Sequence, residues 1–240
     1  LYQAQPLISR YDITIFSTNF TLYGDMSHRV MSTLRSLVPS TEVYSIDEAF
    51  FDLRGISEPL DGYGRRIRQV IRRNTGIPVS IGIAPTKTLA KIASKLAKSY
   101  PKLNGCCYMY RPQDIEKVLS KFPLRDIWGI GRRYGRMFDS MGITTTRQFV
   151  QLPKEWIQKH MGVTGLKTWN ELHGVACIDF DDLPPQKQQI TISRSFPHEV
   201  YELETLEKIV AEFASMCAEK LRKQKSVCRE VRSFIYTNRH

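Results

Sequence analysis

The residues Thr41-Glu42-Val43-Tyr44-Ser45-Ile46-Asp47-Glu48-Ala49-Phe50-Phe51-Asp52-Leu53 constrain this chain more than any other stretch. They read as strand, because Val, Tyr, Ile and Phe are frequent and Gly and Pro are absent. In the middle stand two adjacent carboxylates, Asp47 and Glu48, with apolar neighbours on both sides. A carboxylate in apolar surroundings resists ionisation unless positive charge compensates it, and two side by side also repel one another. A hard divalent cation, which takes oxygen ligands, is the simplest compensation. Neighbours in a flat strand point to opposite faces, so both groups reach one ion only if the backbone bends or bulges there. A hairpin turn whose acidic residues face water satisfies the same spacing.

What could need such a pair is narrowed by charge. The 240 residues carry a net charge of +11, which favours a polyanionic partner, either nucleic acid or an anionic membrane surface. No apolar run approaches the ~20 residues of a membrane span. A hydrophobic content of 42% is enough for a folded core and two domains. There is no signal peptide and the first residue is Leu1, so the stretch is expected to begin inside a longer protein. Cys106, Cys107, Cys177, Cys217 and Cys228 show no paired metal spacing and read as reduced cytoplasmic thiols buried as small hydrophobes.

Taken in order, residues 1–12 are irregular and 13–17 read as a short strand. Met26, Val30, Met31, Leu34 and Leu37 recur at helical spacing, which predicts a helix over 24–38, ended by Pro39. After the acidic strand, Pro59 opens a helix to about residue 74. Its Arg65, Arg66, Arg68, Arg72 and Arg73 are better explained as a solvated face than as a DNA contact. Residues 78–84 read as strand, and Pro85 opens the next helix. At about 100° per residue, Lys87, Lys91, Lys95, Lys98 and Lys102 fall within about 80° of one another on that helix. Leu89, Ile92, Ala93, Leu96 and Tyr100 lie opposite. Five lysines with no interleaved acid repel one another, an arrangement favoured where a polyphosphate lies nearby.

Residues 105–110 read as strand and 112–119 as a short helix. Beyond Pro123 the pattern is helical to Gly174. Gly129-Ile130-Gly131 followed by a helix start is either a tight turn or a grip on a phosphate, since glycines admit close approach and free N–H groups point outward. Arg132, Arg133 and Arg136 favour the second reading. His160 and His173 are isolated and read as structural. Residues 179–189, acidic and then Pro184-Pro185, form the clearest linker. A strand over 190–196, a helix over 202–224 and a strand over 226–237 follow.

Tyr44-Ser45-Ile46-Asp47-Glu48-Ala49-Phe50 resembles the signature of the Y-family (translesion) DNA polymerases. Ile81-Gly82-Ile83-Ala84-Pro85-Thr86-Lys87-Thr88-Leu89-Ala90-Lys91 is similar to the next palm strand and helix of that family. Trp128-Gly129-Ile130-Gly131-Arg132 resembles its thumb helix-hairpin-helix, and Ser193-Arg194-Ser195-Phe196 the opening of its little finger. These four motifs, in the family's order, cover most of residues 16–240. Tyr23-Gly24-Asp25-Met26-Ser27-His28-Arg29-Val30-Met31 adds a likeness to the UmuC branch, of the ImpB/MucB/SamB type.

The resemblance implies an α+β fold: a ferredoxin-like polymerase palm over 19–121, a thumb with a helix-hairpin-helix over 122–178, the linker over 179–189, and the first half of an α+β little-finger domain over 190–240. Residues 1–18 would be a remnant of the fingers and the approach to the palm. It implies error-prone, template-directed DNA synthesis by two-metal nucleotidyl transfer in SOS damage tolerance, in the cytoplasm and off the membrane. Two Mg²⁺ ions, primer–template DNA, a deoxynucleoside triphosphate, a UmuD-type dimer and a RecA filament come with it. Asp47 and Glu48 become the catalytic and metal-binding residues, with Asp47 bridging both ions. Lys98 matches the family's lysine at the incoming triphosphate, although residues are inserted before Asn104-Gly105. Gly129, Ile130, Gly131, Arg132, Arg133 and Arg136 become DNA-binding residues.

The family's third catalytic carboxylate belongs to a first palm strand. Asp12, Asp25 and Glu42, the carboxylates ahead of Asp47, lack its apolar setting, and the steric-gate aromatic is missing with it. Residues 1–240 alone are therefore expected to have a loosened palm and no polymerase activity, while a thumb of about 123–178 still folds. Two other classes share features. A nucleotidyl cyclase has a similar palm with paired carboxylates, but lacks the helix-hairpin-helix and the basic balance. A non-catalytic DNA-binding relative keeps the thumb but would not need both Asp47 and Glu48.

Overall fold

The acidic stretch is not one strand. In the computed structural model, which describes residues 2–181, 188–196 and 198–237, it folds back as a hairpin. Strand β1 (Ser40–Val43) pairs antiparallel with β2 (Ala49–Asp52), Ser40 opposite Asp52 and Val43 opposite Ala49. The turn is made by Ser45, without glycine or proline. Its Oγ accepts the N–H groups of Asp47 at 3.3 Å and Glu48 at 3.1 Å, while the Tyr44 and Ser45 N–H groups both donate to the Glu48 carbonyl at 3.0 Å. A serine hydroxyl that satisfies nearby amides competes with a continuing ladder.

Ahead of the hairpin lie α1 (Gln5–Arg10) and α2 (Phe20–Arg35). The strand expected over 13–17 is absent: Ile13, Ile15 and Phe16 are 49%, 50% and 84% exposed, with no strand partner among the described residues. Helix α3 (Leu60–Thr75) ends on Gly76, whose φ of 74° gives the left-handed cap that glycine takes most readily. Strand β3 (Ile81–Ile83), helix α4 (Lys87–Ser99) and strand β4 (Cys106–Tyr108) form a parallel crossover unit, Ile81 beside Cys106. The close seat of α4 on β3 depends on Gly82, where a Cβ would lie 2.1 Å from the Ser94 nitrogen and 2.2 Å from the Ala90 oxygen.

Helices α5 (Pro112–Leu119), α6 (Arg132–Ser140), α7 (Thr146–Val150) and α8 (Lys154–Leu172) follow, α8 being interrupted at Gly162. Two cores result. One joins Leu34, Ile67, Ile71, Ile81, Ile83 and Cys106. The other takes Leu89, Ile92 and Ala93 from α4 and packs them with Leu119, Phe122, Phe138, Phe149, Ile157 and Leu172. The apolar face of α4 is thus buried in the helical half of the molecule.

The chain divides into two compact units, Leu1–Pro184 and Pro185–His240. In the second, α9 (Leu203–Gln224) is the regular element among the described residues. The strands expected over 190–196 and 226–237 do not form there; a strand is a pairing, and these residues find no ladder partner among the described residues. Most of the expected linker, 182–187, lies outside the described residues. Its start does not dangle: Lys87 Nζ donates to the Asp179 carbonyl at 2.6 Å, and the Asp181 N–H to Glu42 Oε2 at 2.8 Å. No helix among the described residues is long and apolar enough to cross a membrane.

Candidate active site and nucleic-acid interface

The hairpin turn places Asp47 and Glu48 at the surface, both exposed. Asp47 Oδ1 accepts from Ser45 Oγ at 2.6 Å, so the serine that shapes the turn also aims the first carboxylate. Glu48 is held from α4. Lys91 Nζ lies 3.0 Å from both of its carboxylate oxygens. The same ammonium sits 4.6 Å from the Tyr44 ring centroid, 5.1 Å from that of Trp128 and 6.0 Å from that of Phe50. The three rings pack on one another at 5.4–5.8 Å, and Trp128 Nε1 donates to the Tyr44 hydroxyl at 3.0 Å. Three motifs far apart in sequence, around Asp47, Lys91 and Trp128, therefore meet in one cluster.

The lysine stripe holds for Lys87, Lys91, Lys95 and Lys98, whereas Lys102 lies beyond the end of α4, in the 3-10 segment Pro101–Leu103, because Pro101 cannot continue the helix. The stripe is also less naked than its own helix suggests. Lys87 pairs with Glu42 at 2.5 Å, Lys91 with Glu48, and Lys95 with Asp126 at 2.9 Å. Acids from β1, from the turn and from the 3-10 segment Leu124–Asp126 supply the missing counter-charges. Lys98 and Lys102 are exposed and form no ion pair among the described residues. Lys98 follows Lys91 by seven residues. It lies on the same face about 10 Å further along the axis, a rise of ~1.5 Å per residue.

Trp128 leads straight into the glycine turn. Gly129 has φ 91°, and a Cβ there would lie 3.1 Å from Thr168 Oγ1, so both conformation and space call for glycine. Gly131 is the N-cap of α6 and brings no side chain to the helix start. Ile130 differs from its expected role. Its side chain is 6% exposed, inside the core, and its N–H is taken by the Ile127 carbonyl at 3.0 Å. The outward groups are the first amides of α6 and the exposed Arg132, Arg133 and Arg136, none ion-paired among the described residues. Uncapped amides, a positive dipole end and three guanidinium groups together favour anions at this surface.

The sequence model of the impB/mucB/samB family matches residues 1–95, its IMS family HHH motif matches 112–143, and its C-terminal domain matches 187–240. The chain is 39% identical to protein MucB of Escherichia coli over 239 residues, which is 99% of this chain and 57% of that one. The chain belongs to the impB/mucB/samB family. Protein UmuC of Salmonella typhimurium is 38% identical over 240 residues, again covering 99% of this chain and 57% of the relative. This chain thus spans little more than half the length of these curated relatives. Among solved structures, an insertion ternary complex of Dbh DNA polymerase superposes with a TM-score of 0.57 at 25% identity, covering 85% of this chain and 58% of that one. The family architecture is the α+β polymerase fold.

Within this family frame, the carboxylate pair fits a magnesium site in part. Among the described residues no group of three or more His, Cys, Asp or Glu is placed to hold a metal ion. Two hard oxygen donors, however, are what Mg²⁺ takes from a protein when substrate phosphates complete its shell.

One residue of this family member escaped the sequence reading. Glu171, near the end of α8, is 0% exposed. Its Oε2 accepts the Thr88 N–H in the first turn of α4 at 2.9 Å. Its Oε1 accepts the Cys177 and Ile178 N–H groups at 3.0 and 3.2 Å, and its own carbonyl accepts from Thr86 Oγ1 at 2.9 Å. A buried carboxylate with no cation is tolerable when backbone amides and a helix N-terminus satisfy it. Glu171 fastens the helical half to the helix that carries Lys87, Lys91 and Lys98. The one signal in sequence is an acid set between Trp169 and Leu172 on an otherwise apolar side.

Proposed function

We propose that this chain carries the palm (19–121), the thumb (122–178) and, after the linker over 179–189, the start of the little finger (190–240) of a translesion DNA polymerase, which extends a primer on damaged templates. The observation that carries the reading is the cluster in which the Asp47–Glu48 turn, Lys91 of α4 and Trp128 of the thumb meet. Asp47 and Glu48 would hold two Mg²⁺ ions together with substrate phosphates, and such ions would supply a lowered pKa at the primer 3′-hydroxyl and charge neutralisation at the leaving pyrophosphate.

The remaining steps belong to the chain's own side chains. Lys98, without an ion-pair partner among the described residues and on the face of α4 that leads to Glu48, meets the triphosphate of the incoming nucleotide. The first amides of α6, with Arg132, Arg133 and Arg136, hold backbone phosphates without reading bases, as a polymerase that advances along any sequence requires. Gly129 and Gly131 keep that surface open, and Ile130 anchors it from inside. By likeness to the UmuC branch, a UmuD-type dimer and a RecA filament are the proposed protein partners.

The test is Asp47→Asn in the full-length protein with Mg²⁺ supplied. Primer extension is expected to vanish while affinity for primer–template DNA is retained, because Asp47 sits exposed in a turn and serves no core. Extension at the wild-type rate would refute the mechanism.

A further inference from the structure

We propose that the Lys91 ammonium is a built-in counter-cation of the catalytic hairpin: it holds Glu48 while no metal is bound, and gives it up to a divalent ion by withdrawing against the rings of Tyr44, Trp128 and Phe50. This deepens the polymerase reading and rests on Glu48 being a metal ligand.

Geometry makes Lys91 more than a surface partner. Its Nζ is equidistant, at 3.0 Å, from both oxygens of one carboxylate, so the group a metal would need is fully engaged by an ammonium. The lysine is also the better sequestered of the two, with 23% of its side chain exposed against 49% for Glu48. Exposed ion pairs form and break cheaply. This one has a cation that is half enclosed and an acid that stays open to solvent, so a newcomer can reach the acid from outside.

An ammonium and a divalent ion cannot share those two oxygens, because like charges a few ångströms apart repel strongly. A displaced lysine normally needs water or another acid. Here the alternative is already built. The rings of Tyr44, Trp128 and Phe50 surround Nζ at 4.6–6.0 Å, within the range where an aromatic face attracts a cation. The box is braced by the Trp128-to-Tyr44 hydrogen bond, by the edge contacts of Tyr44 with Phe50 and Trp128 and by the tilted Phe50–Trp128 pair, so it persists when Glu48 is taken away. The ligand therefore shifts an equilibrium between two prepared positions of one side chain. Trp128 is the residue next to the glycine turn, so metal occupancy is felt at the start of the DNA grip.

The experiment uses Tb³⁺, a hard oxygen-seeking cation, as the probe, with Trp128 as the light-absorbing donor beside the site. The full-length protein and its Lys91→Met, Lys91→Arg and Glu48→Gln variants are titrated without DNA or nucleotide, and Mg²⁺ competition checks the site. The expected result is that Lys91→Met binds Tb³⁺ about tenfold more tightly, a coupling of about 1.4 kcal/mol. Lys91→Arg, which keeps the charge, stays near wild type, and Glu48→Gln loses the signal. If Lys91→Met fails to melt cooperatively, Lys91→Gln takes its place with the same expected direction. Glu48-dependent binding that is unchanged or weaker in both neutral variants overturns the counter-cation proposal and leaves the metal reading standing. Absence of any Glu48-dependent signal overturns both.

Discussion

Glu171→Gln would measure how firmly the two halves of the first unit are fastened. The wild-type carboxylate is fully buried and accepts three backbone N–H groups, from Thr88 on one oxygen and from Cys177 and Ile178 on the other. The amide keeps the shape but has one acceptor. Whichever way it turns, its NH₂ faces an N–H donor, and at least one buried donor goes unsatisfied, at about 1–3 kcal/mol. The negative charge at the first turn of α4 is also lost, worth about 0.3–2 kcal/mol. Together these give about 1.3–5 kcal/mol. For a unit of this size, at roughly 2–4 °C per kcal/mol, the melting temperature should fall by about 3–20 °C. Calorimetry or far-ultraviolet circular dichroism reads this directly. A variant that melts within about 2 °C of wild type would refute the claim that this carboxylate is a fastening rather than a passenger.

Gly82→Ala should cost at least the ~1–3 kcal/mol of an overpacked site, because its new Cβ meets backbone atoms of α4 at 2.1 and 2.2 Å; a wild-type urea midpoint would show that β3 and α4 are not so closely seated. Burial pushes the Cys106 thiol from its usual 9.0 up to about 11, so folding favours the neutral thiol. That contribution is complete below about pH 9 and is lost as pH rises toward 11, so stability should fall more steeply over this window in wild type than in Cys106→Ala. Equal slopes in the two proteins would remove burial as the cause. DNA affinity should drop steeply with salt, and Gly131→Leu should weaken binding to every sequence alike; a flat salt dependence, or a loss confined to certain sequences, would argue against a phosphate grip.

Local pattern revealed the helices, and non-local pairing hid much of the rest. The helix over 112–119 is found at those residues, and Lys87, Lys91, Lys95 and Lys98 share one face of α4 as angular spacing predicts, while Lys102 falls past its end. The stripe's neutralisation could not be read that way, since Glu42, Glu48 and Asp126 arrive from other elements. The hairpin turn with water-facing acids, one of the two readings of the acidic stretch, is the one found; neither Gly nor Pro marked it because Ser45 makes it. The flanking segments of α9 have strand-like composition, but composition does not supply a partner. Asp47 and Glu48 were legible as a pair, while their tie to Lys91 and Trp128 exists only in three dimensions.

The change of character at Pro123 looks like a seam, and the packing ignores it. Leu89, Ile92, Ala93, Leu119 and Phe122 on one side share a single core with Phe138, Phe149, Ile157 and Leu172 on the other. A severed piece over 123–178 would bare half of that core, so the expectation that it folds by itself gives way to one in which both halves stand or fall together. In mechanical terms this is a jaw cast in one piece with its anvil. Under the proposed function, α4 and the helices beyond Pro123 would meet a duplex as parts of one packed body, so a substitution in the shared core at Phe138 should loosen α4 as well as α6.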